Sequence, residues 1–315
     1  MKILNTIGSV YTPAAKPTLE SIGEVSYQDL GQDEVKAVIG DYDVAVVGLG
    51  LNFDKEVLIK GKNLKVIATA TTGLDHIDIK CARERGIEVI SLRGEDEFLD
   101  TITGTAELAA GLMISLLRFI PHAYEAVKRY EWDREQFRGR SLHGLTLGVV
   151  GMGRLGKWMA RYGRAFGMNV LYTDPNVSNS VEDFQKVSFD ELLKKSDIVS
   201  LHVHLSEDTK DLFNIGVFSK MKRGAYLINT SRGGIVDEKA LLGALKTGTI
   251  AGYGTDVLAD ELSFGKTFEK HPLVEYAKEN RNVIIVPHIG GMTKEAREKT
   301  DIFIAKKLKL IINKK

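Results

Sequence analysis

A glycine-rich turn in the middle of the chain constrains the fold more than any other sequence feature. The apolar run 145–150 (Leu-Thr-Leu-Gly-Val-Val) predicts a buried strand, and the turn 151–156 (Gly-Met-Gly-Arg-Leu-Gly) follows it directly. Residues 157–166 then predict a helix, and residues 169–172 predict a second strand. A strand, a GxGxxG turn and a helix in this order are typical of the phosphate-binding part of a dinucleotide site.

Each glycine of the turn has its own role in this interpretation. Gly151 permits the tight turn, Gly153 lets the backbone approach a pyrophosphate, and Gly156 lets helix and strand pack closely. Asp174 lies eighteen residues after Gly156, where it would accept hydrogen bonds from ribose hydroxyls and repel a 2′-phosphate. The sequence therefore favours NAD over NADP. The alternative, a structural turn without a ligand, leaves Asp174 unexplained.

Composition and charge exclude several classes of protein. The chain has 315 residues, of which 43% are hydrophobic and 27% charged, which is ordinary for a globular protein of two domains. A net charge of +1 does not indicate the basic surface that nucleic-acid binding requires. With Cys81 alone, no internal disulfide forms, and no apolar leader is evident, so we expect a cytoplasmic protein. The apolar run 108–117 is too short to cross a bilayer, so no membrane association is expected.

Predicted strands and helices alternate along the chain, which is typical of α/β proteins with parallel sheets. Strands are predicted at 2–4, 44–47, 65–68, 87–91, 145–150, 169–172, 198–202, 225–229, 250–254 and 283–286. Helices are predicted at 34–39, 54–60, 77–85, 105–130 with a bend or break near Pro121, 157–166, 189–195, 237–246 and 294–312.

We therefore expect two doubly wound parallel-sheet domains. A Rossmann NAD-binding domain, residues 101–289, would be inserted into a flavodoxin-like substrate domain formed by residues 1–100 and 290–315. The last helix would return to the first domain, which would leave a ligand-binding cleft between the two.

Three later segments follow predicted strands, where open parallel sheets present their functional groups. They are 229–234 (Asn-Thr-Ser-Arg-Gly-Gly), 255–261 (Thr-Asp-Val-Leu-Ala-Asp-Glu) and 286–291 (Val-Pro-His-Ile-Gly-Gly). An arginine binds a carboxylate bidentately, and a histidine titrates near neutrality when a carboxylate orients it. The three segments together predict acid–base chemistry on an anionic substrate.

At these residues the chain resembles the D-isomer-specific 2-hydroxyacid dehydrogenase family, which includes phosphoglycerate, glycerate and formate dehydrogenases. The resemblance rests on residues 70–78 (Ala-Thr-Thr-Gly-Leu-Asp-His-Ile-Asp), 105–107 (Thr-Ala-Glu), the glycine turn and the three strand-end segments. It implies an NAD-dependent oxidoreductase that interconverts a small D-2-hydroxy acid and its 2-oxo acid.

The resemblance also implies roles for individual residues. Arg232 would bind the carboxylate and carbonyl oxygens of the substrate. His288 would donate a proton to the carbonyl oxygen as hydride is delivered, and Glu261 would hold and tune His288. The N–H groups that would bind the substrate carboxylate are those of Thr72, Gly73 and Leu74.

The implied cofactor site spans several segments of the chain. Within it, Asp256 would hydrogen-bond the nicotinamide carboxamide. The full set of implied cofactor contacts is Thr72, Thr105, Gly151, Gly153, Arg154, Leu155, Gly156, Asp174, Thr230, Ser231, Asp256 and Gly290. No metal ion is expected. A homodimer formed through the cofactor domains is also implied, with Thr105 to Arg140, including Trp132 and Phe137, as its contact surface.

The sequence departs from the family pattern at three places. Leu262 follows Glu261 where the family usually has proline, and His204 stands where proline is typical. The segment 91–100 is longer and more acidic than the usual family loop. It would either alter substrate specificity or form a solvated loop, and we favour the solvated loop. Two other functions stay open, an NAD-sensing protein-binding module of the co-repressor type and a dehydrogenase of formate or phosphite.

Overall fold

The computed structural model describes residues 1–178, 181–264 and 268–314. Its contacts divide the chain into two compact units. The first unit consists of Met1–Ile102 and Met292–Lys315, and the second consists of Thr103–Gly291. The chain therefore passes between the units twice.

The first unit is built on a parallel sheet of five strands. The strands are β1 (Lys2–Asn5), β2 (Glu24–Tyr27), β3 (Val44–Val47), β4 (Val66–Thr69) and β5 (Glu88–Ile90), in the order β2-β1-β3-β4-β5. The helices are α1 (Lys16–Glu20), α2 (Gln32–Val38), α3 (Lys55–Lys60), α4 (Ile79–Glu84), α5 (Asp96–Leu99) and, after the second unit, α13 (Lys294–Ile312). This strand order is the flavodoxin-like one.

The second unit is built on a parallel sheet of seven strands. They are β6 (Thr146–Val150), β7 (Asn169–Thr173), β8 (Gln185–Lys186), β9 (Ile198–Leu201), β10 (Ala225–Asn229), β11 (Ile250–Thr255) and β12 (Val283–Ile285), in the order β8-β7-β6-β9-β10-β11-β12. The helices are α6 (Gly104–Arg118), α7 (Ile120–Lys128), α8 (Arg154–Ala165), α9 (Phe189–Lys195), α10 (Ile215–Lys220), α11 (Glu238–Lys246) and α12 (Pro272–Glu279).

The strand order reverses direction between β6 and β9, which is the Rossmann arrangement with an added seventh strand. The predicted fold class, two doubly wound parallel-sheet domains, is confirmed. β3, β4 and β9 are buried along their whole length, which explains why each reads as a nearly continuous apolar run.

The helix pattern predicted over 105–130 forms two helices, as the bend near Pro121 indicated. α6 ends at Arg118 and Phe119 takes a left-handed φ of 54°, so α7 starts at a new angle with Pro121 in its first turn. Among the described residues, no single helix is long and apolar enough to cross a membrane. α6 and α7 pass that test only as a pair, which is bent by 63°.

The acidic segment 91–100 is more ordered than a solvated loop. Its residues include α5, and the ring of Phe98 stacks on Phe303 of α13 at a centroid distance of 4.0 Å. The Lys307 ammonium, also on α13, lies 2.5 Å from the carboxylate of Glu95. The segment therefore packs on α13 within the first unit, although most of its acidic side chains face solvent.

Candidate active site

In the second unit, polar residues follow the carboxyl ends of β6, β9, β10, β11 and β12. Because these strands are parallel and adjacent, their carboxyl ends share one edge of the sheet. This edge carries the glycine turn and all three strand-end segments that the sequence singles out.

The glycine turn has the backbone geometry that a dinucleotide site requires. Gly151 has a φ of 90°, and a Cβ there would collide with the carbonyl of His202. A Cβ on Gly156 would collide with the carbonyl of Gly151, whereas Gly153 faces open space. α8 begins at Arg154, three residues before the predicted start, because Gly153 is already its N-cap. The N–H groups at the start of α8 therefore lie beside that space.

Asp174 is tied to the glycine turn as well as being available to a ribose. One carboxylate oxygen accepts the N–H of Met152 at 2.8 Å, and the other accepts the N–H of Asn176 at 2.8 Å. Because Asp174 is half-buried, each oxygen keeps further acceptor capacity. Asp174 thus fixes the turn and presents a negative charge at the end of β7.

The segment after β10 is fixed by its own asparagine. The side chain of Asn229 accepts the N–H of Ser231 at 3.0 Å and donates to the carbonyl of Arg232 at 2.9 Å. The Ser231 hydroxyl donates to the carbonyl of Leu201 at 2.8 Å. The Thr230 hydroxyl is buried and has no hydrogen-bond partner among the described residues, so it is a candidate contact for a ligand.

Asp256 holds the loop that carries the candidate histidine. It is 1% exposed, and its carboxylate oxygens accept the N–H groups of Ile289 at 2.6 Å and Gly290 at 2.8 Å. Burial raises the pKa of Asp256, although these two bonds act in the opposite direction. A Cβ on Gly290 would crowd Asp256 and Thr105, so glycine permits this close packing.

Glu261 and His288 form the acid–histidine pair that the resemblance implies. His288 Nδ1 lies 2.7 Å from Glu261 Oε1, and Glu261 Oε2 accepts the N–H of Leu258 at 3.2 Å. The backbone of His288 donates to the carbonyl of Asp256 at 2.9 Å. Since an ionised carboxylate only accepts, we infer that Nδ1 carries a proton and that Nε2 is left to exchange one.

Arg232 lies in the same cluster of strand ends. Its guanidinium donates to the carbonyl of Ser231 at 2.8 Å and is half-buried. A Cβ on Gly233 would collide with the backbone of Leu258 and Ala259, so the arginine segment packs directly on the turn that carries Glu261.

The predicted residues of the first unit lie in the loop after β4. The Thr71 hydroxyl donates to the carbonyl of Gly73 at 2.7 Å, which shapes the turn. Within the part of the chain that the structure describes, the N–H groups of Thr72, Gly73 and Leu74 donate to no acceptor. Consecutive N–H groups of this kind can bind an anion.

The remaining histidines near strand ends have structural surroundings. His202 Nε2 lies 2.8 Å from the Ser200 hydroxyl, and burial lowers the pKa of His202 to about 4, so it stays neutral at physiological pH. His204 is exposed. His76 is buried beside the Thr69 hydroxyl, at 3.3 Å.

Sequence reasoning missed a second acid–histidine pair in the second unit. Glu238, at the start of α11, lies 3.2 Å from His271 Nε2 and accepts the N–H of Ala259 at 2.9 Å. An acidic residue in the first turn of a helix is common for dipole reasons alone, so no sequence signal distinguished Glu238.

The backbone and the polar groups of this edge fit a dinucleotide. The turn has room at Gly153, the first turn of α8 offers N–H groups, and the Thr230 hydroxyl lacks a partner among the described residues. Asp174 supplies the acidic group at the end of β7.

Comparison with known proteins agrees with these features. Residues 110–290 match the family model "D-isomer specific 2-hydroxyacid dehydrogenase, NAD binding domain". A solved structure of D-lactate dehydrogenase from Aquifex aeolicus, complexed with NAD and lactic acid, superposes with a TM-score of 0.83 at 30% identity, covering 100% of this chain and 96% of that one. The prediction of NAD as the cofactor is thereby confirmed.

Two curated relatives extend the comparison. Hydroxypyruvate reductase from Thermotoga maritima is 35% identical over 289 residues, which cover 90% of both chains. D-3-phosphoglycerate dehydrogenase from Methanocaldococcus jannaschii is 36% identical over 299 residues, covering 93% of this chain. The match spans about half of that longer relative, 54% of its length.

Proposed function

Because the chain belongs to the D-isomer-specific 2-hydroxyacid dehydrogenase family, we propose that it interconverts a small D-2-hydroxy acid and its 2-oxo acid with NAD. The observation that carries this proposal is the 2.7 Å contact between His288 and Glu261, at the strand edge that also holds the glycine turn. The co-repressor type of function and formate or phosphite oxidation are not favoured, since the curated relatives described above are a reductase and a dehydrogenase of 2-oxo and 2-hydroxy acids.

His288 is the proposed general acid and base. With Nδ1 held by Glu261, the cationic ring presents Nε2–H to the carbonyl oxygen of the 2-oxo acid and releases that proton as the alcohol forms. In the oxidative direction, neutral Nε2 accepts the hydroxyl proton. Glu261 stabilises the cation and fixes the plane of the ring, as a carboxylate does for a catalytic histidine.

Arg232 is the proposed substrate-binding cation. Its guanidinium has donors in a planar fork that matches a carboxylate, and it would also polarise the carbonyl oxygen. The N–H groups of Thr72, Gly73 and Leu74 are the second proposed group of substrate ligands. Both contacts are directed at the charge and shape that all 2-oxo acids share, so they bind the class and do not select a side chain.

NAD, when bound, supplies or accepts the hydride. The chain would hold it through the first turn of α8 at the pyrophosphate, Asp174 at the ribose, and Thr230, Ser231 and Asp256 at the nicotinamide. These groups orient the cofactor, and their fixed positions remove the entropic cost of alignment.

A small 2-oxo acid of two or three carbons is the proposed substrate class. The relative matched over 90% of both chains is named hydroxypyruvate reductase, and a relative from Thermococcus litoralis, 37% identical over 280 residues, is named glyoxylate reductase. Hydroxypyruvate and glyoxylate therefore come first among the compounds to be tested, followed by pyruvate, phenylpyruvate, 2-oxoglutarate and phosphohydroxypyruvate.

The test follows NADH absorbance with the purified protein and each 2-oxo acid, repeated with NADPH. We expect oxidation of NADH with at least one compound and a slower rate with NADPH. NADH binding without any turnover across the panel would contradict the proposed reaction.

A substitution tests the assigned acid. We expect His288→Ala to lower kcat by about 10²–10⁴-fold, the usual contribution of a positioned acid, while NADH still binds. The control is His143→Ala, since His143 is exposed and precedes β6, at the opposite edge of the sheet. Equal kcat values in His288→Ala and His143→Ala would show that His288 is not the general acid.

A further inference from the structure

The turn that carries Glu261 is held from two sides by carboxylates. Glu261 itself accepts the N–H of Leu258 at 3.2 Å, and Glu238 accepts the N–H of Ala259 at 2.9 Å. Between Ala259 and Glu261, Asp260 has a left-handed φ of 58°, which is unfavourable for a residue other than glycine. The turn therefore depends on these contacts to keep its shape.

Glu238 is in turn held by a histidine. Its second carboxylate oxygen lies 3.2 Å from His271 Nε2, and the two side chains are only 15% and 13% exposed. The ring of Phe264 meets that of His271 edge to face at 6.2 Å. His271 precedes α12, so the pair joins the start of α11, the 258–261 turn and the start of α12.

The location of Glu238 excludes a direct part in the chemistry proposed above. Its two oxygens are directed at the N–H of Ala259 and at His271, whereas Glu261 contacts His288. A shift of the turn would move the Glu261 carboxylate. Its hydrogen bond to His288 would then weaken steeply, because such a bond depends on its length and angle.

We propose that Glu238 and His271 are positioning residues, which fix the 258–261 turn through the N–H of Ala259 and so keep the Glu261 carboxylate against His288. This inference rests on the proposed function, since it concerns the residues assigned to the acid–base step. The Glu238–His271 pair thus supports the Glu261–His288 pair, and both pairs lie in the second unit.

The test compares Glu238→Ala, Glu238→Gln and His271→Ala with the wild type, with Glu275→Ala as the matched control. Glu275 is a glutamate on α12 whose side chain is 42% exposed and pairs with Lys278. Active sites are counted by NADH binding, so that misfolded protein does not enter the rates. We expect Glu238→Ala to lower kcat per NADH site by about 10-fold, as misalignment of a catalytic group does.

The pH profile separates positioning from loss of fold. A weaker contact between Glu261 and His288 favours the neutral ring, so the midpoint at which reduction declines should move to lower pH in Glu238→Ala. Glu238→Gln keeps an oxygen for the N–H of Ala259. It should therefore retain most of the wild-type kcat per NADH site and most of the wild-type pH midpoint. His271→Ala should show the same changes at smaller size.

A readout without substrate keeps this test distinct from that of the proposed function. In protein labelled with ¹⁵N-histidine, the hydrogen-bonded Nδ1 proton of His288, assigned by its absence in His288→Ala, should weaken or shift in Glu238→Ala and persist in Glu275→Ala. An unchanged signal, or an unchanged rate per site with an unchanged pH midpoint, would overturn the inference. Absence of wild-type turnover would reject the proposed function alone and leave the spectrum to decide.

Discussion

His288 shows how the chain directs a single side chain by restraining its backbone. Its φ of 53° lies in the left-handed region, which costs about 1–3 kcal/mol at a residue other than glycine. The strain is maintained because its N–H donates to the carbonyl of Asp256, whose carboxylate binds the next two N–H groups along the loop. The buried carboxyl group of Asp256 thus sets the direction in which the imidazole leaves the backbone.

The cofactor preference can be tested at one residue, Asp174. Asp174→Asn removes the charge that would repel a 2′-phosphate and keeps one acceptor oxygen, enough for one of the two N–H groups, of Met152 and Asn176, that the carboxylate binds. We expect the ratio of kcat/KM for NADH to that for NADPH to fall by about 10-fold, which corresponds to about 1.4 kcal/mol. Asp183→Asn is the control, since that side chain is 99% exposed. An unchanged ratio in Asp174→Asn would contradict the assigned role.

At the level of elements, the sequence predicts best where burial follows a simple period. The last helix, predicted over 294–312, is confirmed as α13 with those bounds, and its cap is the Thr293 hydroxyl. β2 and β8 were missed because they are short and partly or fully exposed at the ends of their sheets. Short edge strands lack the apolar alternation on which such a prediction depends.

α13 also contains a buried acid whose protonation should affect stability. Asp301 is 1% exposed; one carboxylate oxygen accepts the N–H of Thr12 at 3.3 Å and lies 3.6 Å from Arg297, and the other has no partner among the described residues. Burial raises the pKa of Asp301 above its usual 3.8. The folded chain then binds more protons than the unfolded one between these two pKa values, so this contribution is full below 3.8 and is lost as pH rises.

Asp301→Asn should therefore change the pH dependence of unfolding. We expect the melting temperature of the variant relative to wild type to be higher near pH 7 than near pH 4, because the wild type alone carries the cost of a buried charge at neutral pH. Circular dichroism at several pH values measures it. Glu298→Gln neutralises an exposed acid of the same helix and should show little dependence. A difference independent of pH in Asp301→Asn would contradict the raised pKa.

At the scale of the whole molecule, the sequence predicts a contact only where a local pattern, such as the end of a strand, places its residues. The segments with Arg232, Glu261 and His288 were predicted because each follows a strand of one parallel sheet, and parallel strands bring their carboxyl ends together. Glu238 and His271 belong to helix starts, and only the tertiary packing places both beside Ala259. Residues that support a site from a neighbouring element leave no local pattern.

The second unit also exposes a set of large apolar side chains on α7 and just after it. Ile120, Tyr124 and Val127 follow helical spacing, with Tyr124 64% exposed. Tyr130 and Trp132 are 98% and 87% exposed. Several large apolar side chains exposed so near one another along the chain favour an interaction site, and we propose that a second copy of the chain covers them.

The proposed dimer can be tested by placing a charge on that surface. Light scattering should give the mass of a dimer for the wild type and of a monomer for Tyr124→Asp, because burying an unpaired carboxylate costs more than an apolar contact of this size contributes. Ile215→Asp is the control, since Ile215 is 76% exposed on α10, which packs on α9 and α11. A monomeric wild type, or a Tyr124→Asp protein that stays dimeric, would show that α7 is not the interface.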